Sequence, residues 1–186
     1  MTDTAKELRC FIGIPVPSEL ANRLKKQVKD WRDSNEFPDY KWVKKQDYHL
    51  TLHFIGELRP AKVQKLIEKL KSAPIGKPGK SIKCKSVIGF PTKEKAKFLA
   101  AECELTKELQ LIHSQTGQIL QELGLPVENK PFRPHISLGR LKPKHQSPVI
   151  EEIARLNGEY EFSDIAVFRS MLTPEGSHYE VMAKIN

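Results

Sequence analysis

A chain of 186 residues with 39% hydrophobic content can bury one core, or two small lobes packed against each other, and is too short for two independent domains. The 31 basic residues against 23 acidic ones leave a charge of +8, a balance that favours a polyanionic partner. Three cysteines, at 10, 84 and 103, argue against a disulfide framework or a zinc ribbon, since they are odd in number and lack C-x-x-C spacing. No apolar run reaches 18 residues, so the expected protein is soluble, not exported and cytoplasmic.

In chain order, Glu7 to Ile14 reads as a buried strand stopped by Pro15 and Pro17. Ser18 is placed to cap a helix running to about Ser34, with Leu20, Leu24, Val28 and Trp31 on one stripe. Asn35 to Asp47 reads as a polar loop carrying Tyr40 and Trp42, and a strand follows from His49 to Gly56. Pro60 suits the first turn of a helix bearing Val63, Leu66, Ile67 and Leu70, which runs into the Pro/Gly-rich stretch Pro74 to Gly79. Ser81 to Phe90 and Ala96 to Glu102 read as paired strands. Leu105 to Leu123 is the longest predicted helix, with Gly124 as its left-handed stop. After a strand at His135, a short helix is predicted over Ser147 to Leu156, closed by Gly158. Tyr160 to Leu172 and His178 to Ile185 then form a hairpin across Thr173 to Gly176.

The strand beginning His49-Leu50-Thr51-Leu52 is echoed by His135-Ile136-Ser137-Leu138. Side chains alternate along a strand, so His49 and Thr51 share one face while Leu50, Leu52 and Phe54 share the other. His135 and Ser137 are likewise set against Ile136 and Leu138. Two such strands facing each other put two acid/base groups and two hydroxyls around one small anion. The surrounding order of strand, long helix, motif strand, short helix and strand occurs twice, which suggests two lobes about a pseudo-twofold axis. Strand and helix alternation also fits a parallel doubly wound sheet. The terminal hairpin and the lack of a Gly-rich phosphate loop favour α+β instead.

With their flanks, the motifs read Tyr48-His49-Leu50-Thr51-Leu52-His53-Phe54-Ile55-Gly56 and Pro131-Phe132-Arg133-Pro134-His135-Ile136-Ser137-Leu138-Gly139-Arg140. These resemble the two signatures of the 2H phosphoesterases, and most closely the bacterial and archaeal RNA 2′,3′-cyclic phosphodiesterases, also called 2′-5′ RNA ligase-like proteins. The resemblance extends from the opening Arg9 to Pro15 segment to the closing Ser170 to Tyr179 turn, and it departs at Ser137, where the family more often carries Thr. It implies an α+β, bilobal, pseudo-twofold fold of two mostly antiparallel sheets flanked by helices, with a cleft between the two His-x-Thr/Ser strands. It also implies an enzyme that opens RNA 2′,3′-cyclic phosphates at the 3′ oxygen to leave 2′-phosphates, with reverse 2′-5′ ligation detectable. The rival readings are a non-catalytic RNA or nucleotide-binding module, and a 2H enzyme acting on ADP-ribose cyclic phosphate or 2′-5′ oligoadenylate.

On this reading His49 and His135 are the catalytic pair, and Thr51, Ser137 and Arg140 hold the phosphate. Arg133 is a second candidate phosphate ligand because it shares the face parity of His135, although Pro134 interrupts the ladder between them. Phe11, Tyr40 and Trp42 are candidates for stacking a base, a role that competes with burial in the core. His53 shares the face of His49, but four strand steps of ~3.3 Å separate the two rings by ~13 Å, too far for one metal, which leaves it a rim or solvent-facing residue. His113 and His145 read as surface residues and His178 as a turn residue. No metal, cofactor, membrane or protein partner is expected, and the chain is expected to be a monomer whose partner is an RNA or nucleotide ending in a 2′,3′-cyclic phosphate. Eleven Lys against two acids between Pro60 and Lys97 form either a solvated face or a track for longer RNA.

Overall fold

The computed structural model describes residues 6–76, 80–173 and 176–186. Its elements are β1 (Leu8–Pro15), α1 (Ser18–Asp33), β2 (Tyr40–Trp42), a 3-10 turn (Lys45–Asp47), β3 (His49–Leu58), α2 (Pro60–Ser72), β4 (Ser81–Thr92), β5 (Lys95–Cys103), α3 (Lys107–Glu122), β6 (His135–Leu141), β7 (Glu152–Glu161), β8 (Ile165–Thr173) and β9 (Gly176–Ile185). Helices and an antiparallel sheet make this an α+β fold. The strand order is β7-β4-β5-β6-β3-β1-β8-β9, with β2 paired on β6.

The two sheets expected from the sequence are one sheet here, because β3 and β6 meet through the single pair Leu50 and Ile136. Outward from that pair the order is symmetric. Each motif strand is flanked by the strand that precedes a long helix, β1 beside β3 and β5 beside β6, and two further strands complete each side.

All three helices bury their apolar stripes in one cluster with the core-facing strand residues. Leu20, Leu24, Val28 and Trp31 of α1 and Val63, Leu66 and Leu70 of α2 meet Ile12, Ile14, Leu50, Leu52, Ile136 and Leu138 there. The Thr106 hydroxyl accepts from the Leu109 amide at 3.2 Å and caps α3, and Gly124, at φ +63°, stops it as expected. Ser18, by contrast, is the first residue of α1 and not its cap; Pro17 takes the cap position, with no side-chain hydrogen bond. Leu50, completely buried at the joint between the two motif strands, is the most informative core position. Leu50→Ala is expected to destabilise the fold by ~2 to 5 kcal/mol in urea titration, the usual range for a buried Leu truncation.

Two local expectations are corrected. Ser147 to Leu156 is not a helix: the chain is irregular to Glu151 and then forms β7 on the β4 edge. Its apolar residues are drawn to different places, Ile150 to a small cluster with Tyr40, Ala96 and Leu99, and Leu156 and Tyr160 to the main core, which one helical stripe cannot do. Tyr40 and Trp42 are not in a loop but in β2, with Lys41 opposite Arg140 on β6. The lysine-rich segment is also divided: α2 carries Lys62, Lys65, Lys69 and Lys71 on the helical face of the sheet, and Lys69 pairs with Glu122 at 3.0 Å. Of the expected loop at 74–79 and hairpin turn at 173–176, residues 77–79 and 174–175 lie outside the described residues.

Candidate active site

The side chains that alternate with the buried Leu50 and Ile136 point away from the helices. Antiparallel register about that pair sets His49 opposite Ser137 and Thr51 opposite His135. All four line one cavity of about 1170 Å³. That exceeds the ~300 to 1000 Å³ of most small-ligand pockets, so there is room beyond one phosphate and sugar.

Both imidazoles are held in the same way. His49 Nδ1 lies 2.8 Å from the carbonyl oxygen of Asp47, and His135 Nδ1 lies 2.8 Å from that of Arg133. A carbonyl only accepts, so each Nδ1 carries the hydrogen and each Nε2 is left to exchange protons. Burial pushes the His49 pKa down to about 4, with the Asp47 carbonyl and carboxylate pulling it partly back and His135 pressing it lower. His135 is lowered too, first by burial and then by the Arg133 guanidinium, against the pull of its own hydrogen bond. Both rings are therefore biased toward the neutral form near pH 7.

Different side chains brace the two rings. Phe11 and Tyr179 pack on His49 at centroid distances of 4.7 and 4.5 Å. Phe90 stacks on His135 at 4.0 Å, and the Arg133 guanidinium lies 4.7 Å from the centre of the Phe90 ring. Behind His49 sits Asp47, only 4% exposed. Its Oδ1 is 2.8 Å from His178 Nδ1 and accepts from the Tyr179 amide at 3.0 Å. The 3-10 turn that presents the His49 clamp is thus pinned to β9.

Strict alternation fails just beyond each hydroxyl. In β3 the pairing with β1 steps from Thr51 to His53, leaving Leu52 as a bulge residue, and in β6 the pairing with β5 steps from Ser137 to Gly139, leaving Leu138. A bulge reverses the faces that follow it. Arg140 is thereby turned into the cavity, its guanidinium 4.8 Å from the centre of the Phe98 ring, and Phe54 occupies the matching position five residues after His49. Arg133 also lines the cavity and donates from Nη1 to the Pro91 carbonyl at 2.7 Å.

Several expected positions change as a result. Phe54 is not in the core but 49% exposed, and His53 is not on the rim but 2% exposed. The His53 ring lies beneath α3, where Nε2–H donates to the His113 carbonyl at 2.9 Å and the missing Cβ of Gly117 leaves it room. His113 is not a free surface residue either: it stacks between His53 at 4.2 Å and Phe132 at 4.1 Å, and burial first, then His53, lowers its pKa to about 4. Phe11 is 1% exposed and backs His49, so it has no face to offer a base. Trp42 lines the cavity while stacking on Trp31 at 6.2 Å. His145 is a surface residue as expected, 2.9 Å from Asp39.

The model of the family described as LigT like Phosphoesterase matches the chain twice, over residues 14–100 and 99–179, once for each motif. The chain belongs to this family. An RNA 2′,3′-cyclic phosphodiesterase of Thermotoga maritima is 30% identical over 179 residues, covering 94% of this chain and 93% of that one. One of Bacillus subtilis is 32% identical over 132 residues, covering 70% and 69%. In fold, a protein of Thermus thermophilus superposes with a TM-score of 0.78 at 24% identity, covering 96% of this chain and 97% of that one. E. coli LigT complexed with 3'-AMP superposes with a TM-score of 0.73 at 20% identity, covering 96% and 97%.

The protein is thus a LigT-like phosphoesterase, an enzyme of phosphoester chemistry, and the double match agrees with the symmetric placement of β3 and β6. Asp47, Phe54, Phe90 and Tyr179 are parts of the cavity wall that sequence reasoning did not single out. For Phe54 a signal was present: Gly56 and Gly139 stand inside the two motif strands, and glycine inside a strand often marks a bulge. Asp47, Phe90 and Tyr179 reach the histidines from separate elements, which no local pattern announces. Among the described residues no helix is long and apolar enough to cross a membrane.

Proposed function

We propose that this LigT-like phosphoesterase hydrolyses RNA 2′,3′-cyclic phosphate ends to 2′-phosphomonoesters, with His135 as base and His49 as acid. The observation that carries the reading is the matched pair of imidazoles, each clamped through Nδ1 to a carbonyl, that line one cavity together with two hydroxyl residues. His135 Nε2 takes a proton from water as its oxygen attacks phosphorus. The P–O3′ bond breaks, and His49 Nε2–H gives its proton to the departing 3′ oxygen. The Thr51 and Ser137 hydroxyls and the Arg140 guanidinium hold the non-bridging oxygens as their charge rises. Run in the same direction with a 5′ hydroxyl in place of water, the same transfers form a 2′-5′ linkage.

The two histidines are nearly symmetric, and it is the family resemblance that supports His135 as base and His49 as acid. The Asp47 carboxylate behind His49 draws that ring toward imidazolium and the Arg133 guanidinium draws His135 toward the neutral form, while burial is the largest influence at both rings and lowers both. Incubation with an oligonucleotide ending in a 2′,3′-cyclic phosphate tests the reading. The expected product is the 2′-phosphate; a 3′-phosphate or unchanged substrate overturns it.

Because an imidazolium protonates the leaving oxygen, no Lewis acid is required, and turnover is expected to survive EDTA. Full loss, restored by a divalent ion, contradicts this. The pH dependence follows from the depressed histidines. In the free enzyme one ring must be neutral and the other charged, so both limbs of kcat/KM fall on the acid side of the ordinary His value of ~6.5. The bound phosphate anion favours imidazolium, so the kcat profile moves to higher pH. Coincident profiles centred above 7 contradict the assignment.

A further inference from the structure

Each of the two motif histidines is clamped by the carbonyl of the residue two before it, and each of those residues is anchored through its own side chain to another element. At His135 the anchor is backbone, since Arg133 Nη1 donates to the Pro91 carbonyl at 2.7 Å. At His49 the anchor is a side chain. His178 Nδ1 lies 2.8 Å from Asp47 Oδ1, and an ionised carboxylate only accepts, so Nδ1 carries the hydrogen.

This link stands where the sheet cannot supply one. Two strands, β1 and β8, lie between β3 and β9, so no ladder hydrogen bond joins the turn before β3 to β9. Asp47 spans the gap, and it is the one carboxylate buried among the described residues. A buried carboxylate is costly unless donors surround it, so folding alone gives no reason for an aspartate at this place. The Tyr179 amide supplies one donor at 3.0 Å and His178 another. The His178 side chain itself is 42% exposed, stands opposite Met171 of β8 and lines the cavity, so it is not held there by burial.

Resting on the function proposed above, we infer that His178 is a positioning residue for His49, acting through Asp47. Its Nδ1–H holds the carboxylate, the held carboxylate fixes Asp47, and the Asp47 carbonyl sets the tautomer and direction of the His49 ring. Without that donor the carboxylate turns toward water for a replacement and draws the carbonyl off His49 Nδ1. The ring then exchanges tautomers, and its Nε2 no longer stays aimed at the departing oxygen.

The test compares wild type with His178→Ala, His178→Asn and His178→Gln. The His49 ring nitrogens are followed by 15N NMR in the free protein with the ring neutral, and kcat and KM are measured on a nucleoside 2′,3′-cyclic phosphate. Asn puts an amide N–H close to the place of Nδ1, and Gln puts one close to the place of Nε2. Wild type and His178→Asn are expected to show His49 in the Nδ1–H tautomer, and His178→Ala a mixture of the two. In His178→Ala kcat should fall ~10- to 100-fold, the scale of a misplacement of about 1 Å, with KM within a few-fold of wild type. His178→Asn should recover most of that loss and His178→Gln little of it. An unchanged tautomer in His178→Ala, a loss confined to KM, or rescue by Gln and not by Asn overturns the inference, the last because it makes Nε2 a substrate contact. A wild-type protein that leaves the cyclic phosphate unopened counts against the proposed function, while the ring tautomers still decide the positioning.

Discussion

Replacing His49 or His135 with alanine is expected to lower kcat/KM on an RNA 2′,3′-cyclic phosphate by at least ~10² to 10⁴-fold each, the usual contribution of one positioned acid or base. The clamps explain why nothing nearby substitutes. Each Nδ1 is committed to a carbonyl, which leaves the Nε2 atom of each ring for proton transfer. His53 and His113 are close in sequence or space, but the Nε2–H of His53 is taken by the His113 carbonyl and the His113 ring lies between His53 and Phe132. Because both proton transfers belong to one displacement, the double variant should lose far less than the product of the single losses. Thr51→Ala and Ser137→Ala each delete one hydrogen bond to developing charge and should fall short of either histidine variant. A kcat/KM within a few-fold of wild type in either His→Ala protein contradicts the two-histidine account.

The second large effect is on stability in mild acid. His49 and His113 are held at about 4, and His53 and His135 are also lowered, in each case chiefly by burial. Unfolded, all four take up protons near ~6.5. Below that value the unfolded chain binds more protons than the native one, so stability is fully present above pH ~6.5 and is lost as pH falls toward 4. For His49 alone the loss is on the order of 3 kcal/mol once protonation is forced, a large share of the ~5 to 15 kcal/mol that holds a typical domain together. Urea midpoints measured from pH 7 down to pH 4.5 should fall steadily, in a window above most carboxylate titration. A flat profile across that window contradicts the depressed values.

The two motif strands were legible because alternation over four residues is a strong local signal: His49 with Thr51 and His135 with Ser137 do share faces, and Leu50 and Ile136 do anchor the opposite side. Legibility ended at the bulges, where one extra residue reverses every face assignment after it. Phe54 and His53 were therefore exchanged. The sequence near Pro148 misled for another reason. Ile150, Ile153 and Leu156 recur at helical spacing, while the β4 edge offered an unpaired ladder that no property of those residues reveals. The support behind His49 is a question of tertiary contact: Asp47 reaches His178 from the far end of the chain, and a residue expected only in a turn becomes part of the wall behind His49.

The assignment of acid and base is the core of the account, and a substrate with an activated 3′ leaving group tests it most directly. Such a group departs without a proton, so it bypasses the acid and leaves the need for a base. His49→Ala is expected to recover most of its kcat/KM on the activated substrate, and His135→Ala to remain as slow as on the natural one. Rescue of His135→Ala with none of His49→Ala would reverse the roles, and equal behaviour of the two variants would contradict a mechanism built on one acid and one base.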